Sequence, residues 1–425
     1  AIGNSALNAN TTASYSTAVG NSALAANTTG RNTALGYNSL NDITTASYCT
    51  GLGDHALWKC TAEKNTAVGF EAAVFTTTGT TNTAVGYKSL YSNTTGSYHA
   101  VLGNQAADAA TTANGLVAIG YQALSTCTTG VSYSVAIGFE SQKQISTGQY
   151  NTTIGYRTLH NGTTAEGNTV IGYNAGYALT EANNNVAIGR NSLSTVQDSG
   201  HENIAIGYAS AYSLTDGDYN VAIGSHALNA ITTGSYNTGV GDRALAIITT
   251  GSYNTAVGKG ALDANTTGDS NTATGSNAVG KLTTGDKNTG VGRSALQEVT
   301  TGDENTCVGD DAGGVVTTGS NNLLLGHYSG VAGSPSGNVT TGSNVVCLGD
   351  NNITDLYCAD TSISSSDSRD KTDVADFTHG LNWVNQLKPI TYRWDKRTWY
   401  DDNTPDGSKK RNKKHIGFLA QDVLA

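Results

Sequence analysis

The chain has 425 residues, of which 13% are charged and 52 are glycine. Three prolines, five phenylalanines and no methionine exclude a Pro-rich linker or a Met/Phe-packed core as the main architecture, and glycine without a three-residue period excludes collagen. The net charge of −10 divides into 12 Lys/Arg against 24 Asp/Glu over residues 1–365 and 11 against 9 over residues 366–425. No basic surface therefore calls for nucleic acid, and no eighteen-residue apolar run exists to span a membrane.

From the first residues onward the chain repeats itself. Ala1-Ile2-Gly3 already lies in mid-repeat, so the natural N-terminus is expected upstream. The motif is Asn-Thr-Ala-Val-Gly, and its closing glycines run from Gly3 through Gly120 and Gly258 to Gly349. These 21 marks are 16 to 18 residues apart, except for a last step of 23. Such a period is too short for helix-pair repeats, while short β-branched pieces between glycine turns predict an all-β fold: a parallel β-solenoid or β-roll of about 21 coils. At the usual strand spacing that makes a rod on the order of 100 Å.

Within a unit, the residue before the marker glycine is aliphatic in 20 of 21 copies, with Thr274 the exception. This slot is expected to face a core. The residue two before the glycine is Ala, Gly or Cys in 17 copies, and adjacent strand positions point to opposite faces. Both faces are then covered, as in doubly buried sheets. One roll has a single interior, so the second covered face points to a symmetric partner, most simply a homotrimer of parallel chains. Four residues after the glycine, Leu in 12 copies would close the core from the opposite wall. Thr-Thr-Gly marks the second corner, where glycine is expected to supply positive φ and stacked Asn and Thr to form hydrogen-bond ladders.

Asn220-Val221-Ala222-Ile223-Gly224 and Ser134-Val135-Ala136-Ile137-Gly138 resemble the head repeats of trimeric autotransporter adhesins, over about 350 residues and with a longer period. The resemblance implies a left-handed parallel β-roll and trimerisation rather than any partner.

After Gly349 the rhythm stops, and three of the four tryptophans, Trp383, Trp394 and Trp399, follow. The expected organisation is a repeat shaft over 1–349, a linker over 350–365 and a small α+β domain over 366–425. Val374, Phe377, Leu381 and Val384 read as a helix face. Lys388-Pro389 should end that helix, Ile390 to Trp394 alternates as a strand, and Ile416 to Gln421 is a last apolar segment.

Ser366-Asp367-Ser368-Arg369-Asp370-Lys371, then Leu387-Lys388-Pro389, Tyr392-Arg393-Trp394 and Gly417 to Asp422, resemble the start of the peptidase S74 family, the intramolecular chaperone at the C-terminus of phage tail spikes and fibres. The resemblance implies a domain that trimerises the chain, guides solenoid folding and releases itself by a Ser/Lys dyad. The matching positions are Ser366 and Lys371, with Ser366–Asp367 as the scissile bond. A serine hydroxyl needs a base to become a nucleophile, and a lysine of lowered pKa can be that base. Arg369 either supplies the cation that lowers it or orients the carbonyl.

Other sites carry less. Six cysteines lack C-x-x-C spacing, so neither a zinc site nor any other metal or cofactor is expected. Cys307 and Cys347 fill the small slot as buried thiols. His55 and His226 share one turn position, and the run Lys409 to Lys414 reads as a solvated loop. The function expected is a virion tail fibre or spike, assembled in the host cytoplasm with other virion tail proteins and binding a host surface receptor or glycan. Its alternatives are a bacterial trimeric adhesin on a cell surface and, more remotely, an ice-binding solenoid. No paired carboxylates recur to make a glycan-degrading enzyme, leaving self-cleavage as the one chemistry.

Overall fold

A computed structural model describes residues 1–195, 200–355, 390–393, 404, 406–408 and 414–417. The chain divides into two compact units, Ala1–Asp355 and Leu356–Ala425. The first is a parallel β-solenoid. Twenty three-residue strands, β1 (Thr17–Val19) to β20 (Val346–Leu348), follow one another at the sequence period, and Ile2 adds one bridge to Val19. Each strand pairs in parallel with the next coil's strand, so that Thr255, Ala256 and Val257 lie beside Thr272, Ala273 and Thr274. No helix occurs among the described residues.

The middle residue of each strand points inward. Ala18, Ala67, Ala136, Ala222 and Ala256 are fully buried, and Leu24, Leu57, Leu124 and Leu262 meet them from the far wall. The restriction to small residues follows from that meeting: a Cβ added at Gly51 would lie 3.2 Å from Leu40 Cγ and 3.1 Å from the Ala56 carbonyl oxygen. The aliphatic slot, expected against the core, instead turns out of the coil, leaving Leu102 51% and Leu35 48% exposed. An interior one alanine-to-leucine layer thick has no room for a second aliphatic row, and strand alternation sends it to the other face.

Positive φ also falls elsewhere than expected. The marker glycines hold it, at +135° for Gly20 and +137° for Gly241, and so do ordinary residues two and four places later, such as Ser22 and Leu24 at +57° and +53°. The corner glycines Gly30, Gly96 and Gly251 do not. They are small because the next coil's backbone passes against them: a Cβ at Gly251 would sit 2.6 Å from the Gly268 carbonyl oxygen.

Two ladders tie the coils together. Fully buried Asn254, four before its glycine, donates from Nδ2 to Asn237 Oδ1 at 3.1 Å and to the Gly268 carbonyl at 2.8 Å. Its own Oδ1 accepts the Asn271 backbone N–H at 3.0 Å. This arrangement repeats from Asn203 to Asn322. At the corner, Thr266 Oγ1 donates to the Thr283 carbonyl at 2.9 Å, and Thr283 repeats the bond to Thr300.

In the second unit, β21 (Ile390–Tyr392) pairs antiparallel with β22 (His415–Gly417), placing Tyr392 beside His415 and Ile390 beside Gly417. The expected strand at Ile390 is present; the expected helix from Val374 to Val384 lies outside the described residues.

Candidate functional site

Ser366, Asp367, Arg369 and Lys371, the expected self-cleavage set, lie outside the described residues. What the fold brings together nearby in sequence is two of the motif blocks: the β21–β22 register sets Tyr392 of the third block two rungs from Gly417 of the fourth.

On the solenoid, the outward strand face is the most extensive feature. One residue before each glycine, a row of Val, Ile and Leu runs along the axis and includes half-exposed Leu35, Leu102, Ile154, Val257 and Leu348. Directly after the glycine comes an aromatic row. Tyr121, Phe139, Tyr156 and Tyr173 stack in turn, with centroids 5.1, 5.3 and 5.0 Å apart. A third row, five before the glycine, stacks Tyr219, Tyr236 and Tyr253 at 5.0 and 5.1 Å. In-register parallel coils place like residues one strand apart, which is the distance at which rings stack. From Tyr121 to Tyr173 the aromatic row adjoins the aliphatic row without a break, an apolar strip of the kind that marks an interaction surface; after Tyr208 the same slot is polar or charged.

Charges are kept off the aliphatic row and pair mainly between successive coils, as Arg293 with Asp310 at 2.9 Å and Lys281 with Glu298 at 2.6 Å. One cluster is more buried. Glu140 accepts from Lys143 Nζ at 2.6 Å and Arg157 Nε at 2.8 Å; burial alone raises its carboxyl, but the two cations outweigh that and hold it below the usual range.

Cys307 and Cys347 occupy the small slot and are buried. Burial drives the Cys307 thiol up to about 12. At Cys347 burial acts the same way, but hydrogen bonds from Ser329 and Ser336 prevail and bring it down to about 7. Among the described residues no three His, Cys, Asp or Glu side chains converge as a metal site.

The profile of the peptidase S74 family, described as the chaperone of endosialidase, matches residues 366–425. No curated protein and no solved structure matches the chain. A solenoid body followed by an S74 chaperone segment fits a tail-fibre-like protein.

Proposed function

We propose that the chain is the shaft of a homotrimeric viral tail fibre or spike that attaches a particle to a host surface. Its C-terminal segment acts as an intramolecular chaperone and then releases itself. The observation that carries this reading is the S74 match over residues 366–425, placed after the solenoid in the same chain.

Two physical features support it. The exposed aliphatic row and the aromatic row directly after the glycine would be covered by the same rows of two further chains, which is how a closed symmetric interface reuses one surface. The backbone also gives a chaperone something to do. Left-handed conformation costs an L-residue roughly 1–2 kcal/mol, and nearly every coil repeats it at non-glycine positions such as Gln122 and Leu124. Coil-to-coil hydrogen bonds and packing offset that cost only after neighbouring coils have formed, so nucleation is the difficult step.

In the self-cleavage step, Lys371 accepts the proton of Ser366 Oγ while Oγ takes one from a water. The water oxygen bonds to the Ser366 carbonyl carbon, the carbon–nitrogen bond to Asp367 breaks, and Lys371 returns its proton to the leaving nitrogen, leaving a carboxylate on Ser366 and an amine on Asp367. Intact mass tests this. The wild-type chain loses a fragment beginning at Asp367, whereas Ser366→Ala and Lys371→Ala chains stay whole; an uncleaved wild-type chain that folds and trimerises removes the autoproteolytic part. An ice-binding role is disfavoured because one threonine of many corner pairs, such as Thr94, Thr232 and Thr266, already donates its hydroxyl to a carbonyl.

A further inference from the structure

The coil closed by Gly69 is one residue shorter than its neighbours at the corner. Between Gly36 and Gly53 the corner reads Thr44-Thr45-Ala46-Ser47-Tyr48-Cys49; the next reads Thr61-Ala62-Glu63-Lys64-Asn65, and the one after it Thr77-Thr78-Gly79-Thr80-Thr81-Asn82. The rungs on either side of the gap remain in step. Thr61 Oγ1 donates to the Thr77 carbonyl at 2.7 Å, the Thr81 N–H donates to the Glu63 carbonyl at 3.4 Å, and the Tyr98 N–H donates to the Thr80 carbonyl at 3.1 Å. The missing residue is therefore the counterpart of Thr78, and its absence leaves a groove of about 430 Å³ lined by Glu63, Lys64, Thr78, Thr80, Thr81 and Tyr98 among others.

The groove's lining is unusual for this solenoid. In other coils several charges pair with the next coil, as Lys281 with Glu298 and Arg293 with Asp310, and runs of tyrosines in the Tyr98 slot stack, as Tyr219, Tyr236 and Tyr253 do. Here the Glu63 carboxylate, the Lys64 ammonium and the hydroxyls of Thr78, Thr80 and Thr81 make no side-chain hydrogen bond or ion pair to any described residue. Tyr98 is 68% exposed, with Thr81 and Gly115 in the adjacent rungs, so neither neighbour offers a ring to stack on it. An aromatic ring, three free hydroxyls and one charge of each sign, all opening on one groove, form a surface that offers donors, acceptors and an apolar plate without net charge.

We infer that this groove is a binding site for an uncharged oligosaccharide of two or three hexose units. The axial C–H face of a pyranose packs on the Tyr98 ring. Its hydroxyls donate to Glu63 and accept from Lys64, and they exchange bonds with the threonines. The volume lies within the usual range for small-ligand sites, roughly 300–1,000 Å³. A polyanionic glycan is excluded by Glu63, which has no second cation beside it in the groove. The inference rests on the attachment reading for its biological use and names the site and class of ligand that such attachment would employ.

The test uses the full chain on a printed array of neutral and acidic oligosaccharides, followed by titration of the neutral glycans that bind. The wild-type chain binds at least one neutral glycan; Tyr98→Ala and Lys64→Ala each weaken that binding tenfold or more, and Tyr253→Ala, in a stacked row, leaves it unchanged. Light scattering on the same samples establishes that all keep one oligomeric state. No neutral glycan bound, acidic glycans alone bound, or equal loss in Tyr253→Ala overturns the proposal. Binding of the same chains to a panel of bacterial cells separates the two readings. Cell binding that survives Tyr98→Ala sinks the groove and leaves attachment standing, while glycan binding without attachment to any cell does the reverse.

Discussion

His99 stands where most coils carry the ladder asparagine. It is buried, its Nδ1 accepts the Leu116 N–H at 3.2 Å, and its Nε2 has no partner. Burial drives the imidazole down to about 4 from the ordinary 6.5. The unfolded chain therefore takes up a proton below pH 6.5 that the folded chain refuses until about pH 4. Stability is fully present above 6.5 and falls as pH drops through that window, by about 3 kcal/mol in all. His99→Asn restores the ladder residue, and urea midpoints measured between pH 7 and pH 4 should lose most of their slope; an unchanged slope assigns the acid sensitivity to other groups. Gly241 makes the opposite demand on its site. At φ +137°, with a Cβ only 2.6 Å from the Gly258 carbonyl oxygen, Gly241→Ala cannot relax without parting two coils. A loss of at least about 3 kcal/mol is expected in denaturant titration.

At the scale of the coil, the asparagine ladder joins neighbours more firmly than strands of three residues could. Asn254→Ala strands the Asn271 N–H and leaves the Gly268 carbonyl and Asn237 Oδ1 with one hydrogen bond fewer each, those remaining coming from Asn265 Nδ2 and the residue-254 N–H respectively. Leaving that N–H buried and unpaired costs about 1–3 kcal/mol, and amide exchange should accelerate in the coils on both sides of residue 254 before it does at the ends. Uniform acceleration along the solenoid would mean that the coils unfold together. The ladder has natural exceptions: Cys49 stands alone between Asn32 and Asn65, whereas His99, Leu116 and Ser134 replace the asparagine in three successive coils. Another departure is the coil around Gln142, where a fully buried polar layer replaces alanine and leucine. Ser141 Oγ lies 2.5 Å from Thr153 Oγ1, and Gln142 Nε2 donates to that hydroxyl at 3.0 Å. In a chain of near-identical coils this layer distinguishes one register from the next.

For the whole molecule, the outward rows set the association state. Val240 and Val257 occupy the aliphatic row of adjacent coils. Changing both to Asp puts like charges into the proposed trimer contact without touching the alanine-leucine interior. Light scattering should then report monomers while far-UV circular dichroism keeps its β signature. A trimer that survives the double change places the interface on another face.

How far the sequence reads ahead of the structure differs between these levels. Spacing alone determined the parallel coils, their period, the leucine wall and the asparagine ladder, because in-register stacking requires like residues at like positions and a one-dimensional repeat displays them directly. Periodicity could not decide which apolar row faced inward: alternation separates Ala256 from Val257 without saying which side is the coil's own. That was settled by the space between strand and far wall, where a facing leucine leaves room only for a small residue; Val101, Val170 and Leu324 fit the inward slot where Ala107, Gly176 and Gly330 stand in place of the leucine. Nor could sequence locate the left-handed positions, since Leu24 and Gln122 carry no glycine to announce them; the path of the coil imposes that conformation. The groove beside Tyr98 did leave a trace, the 16-residue step from Gly53 to Gly69. Its meaning depended on which rung lost its counterpart, and only contacts between residues a full coil apart decide that.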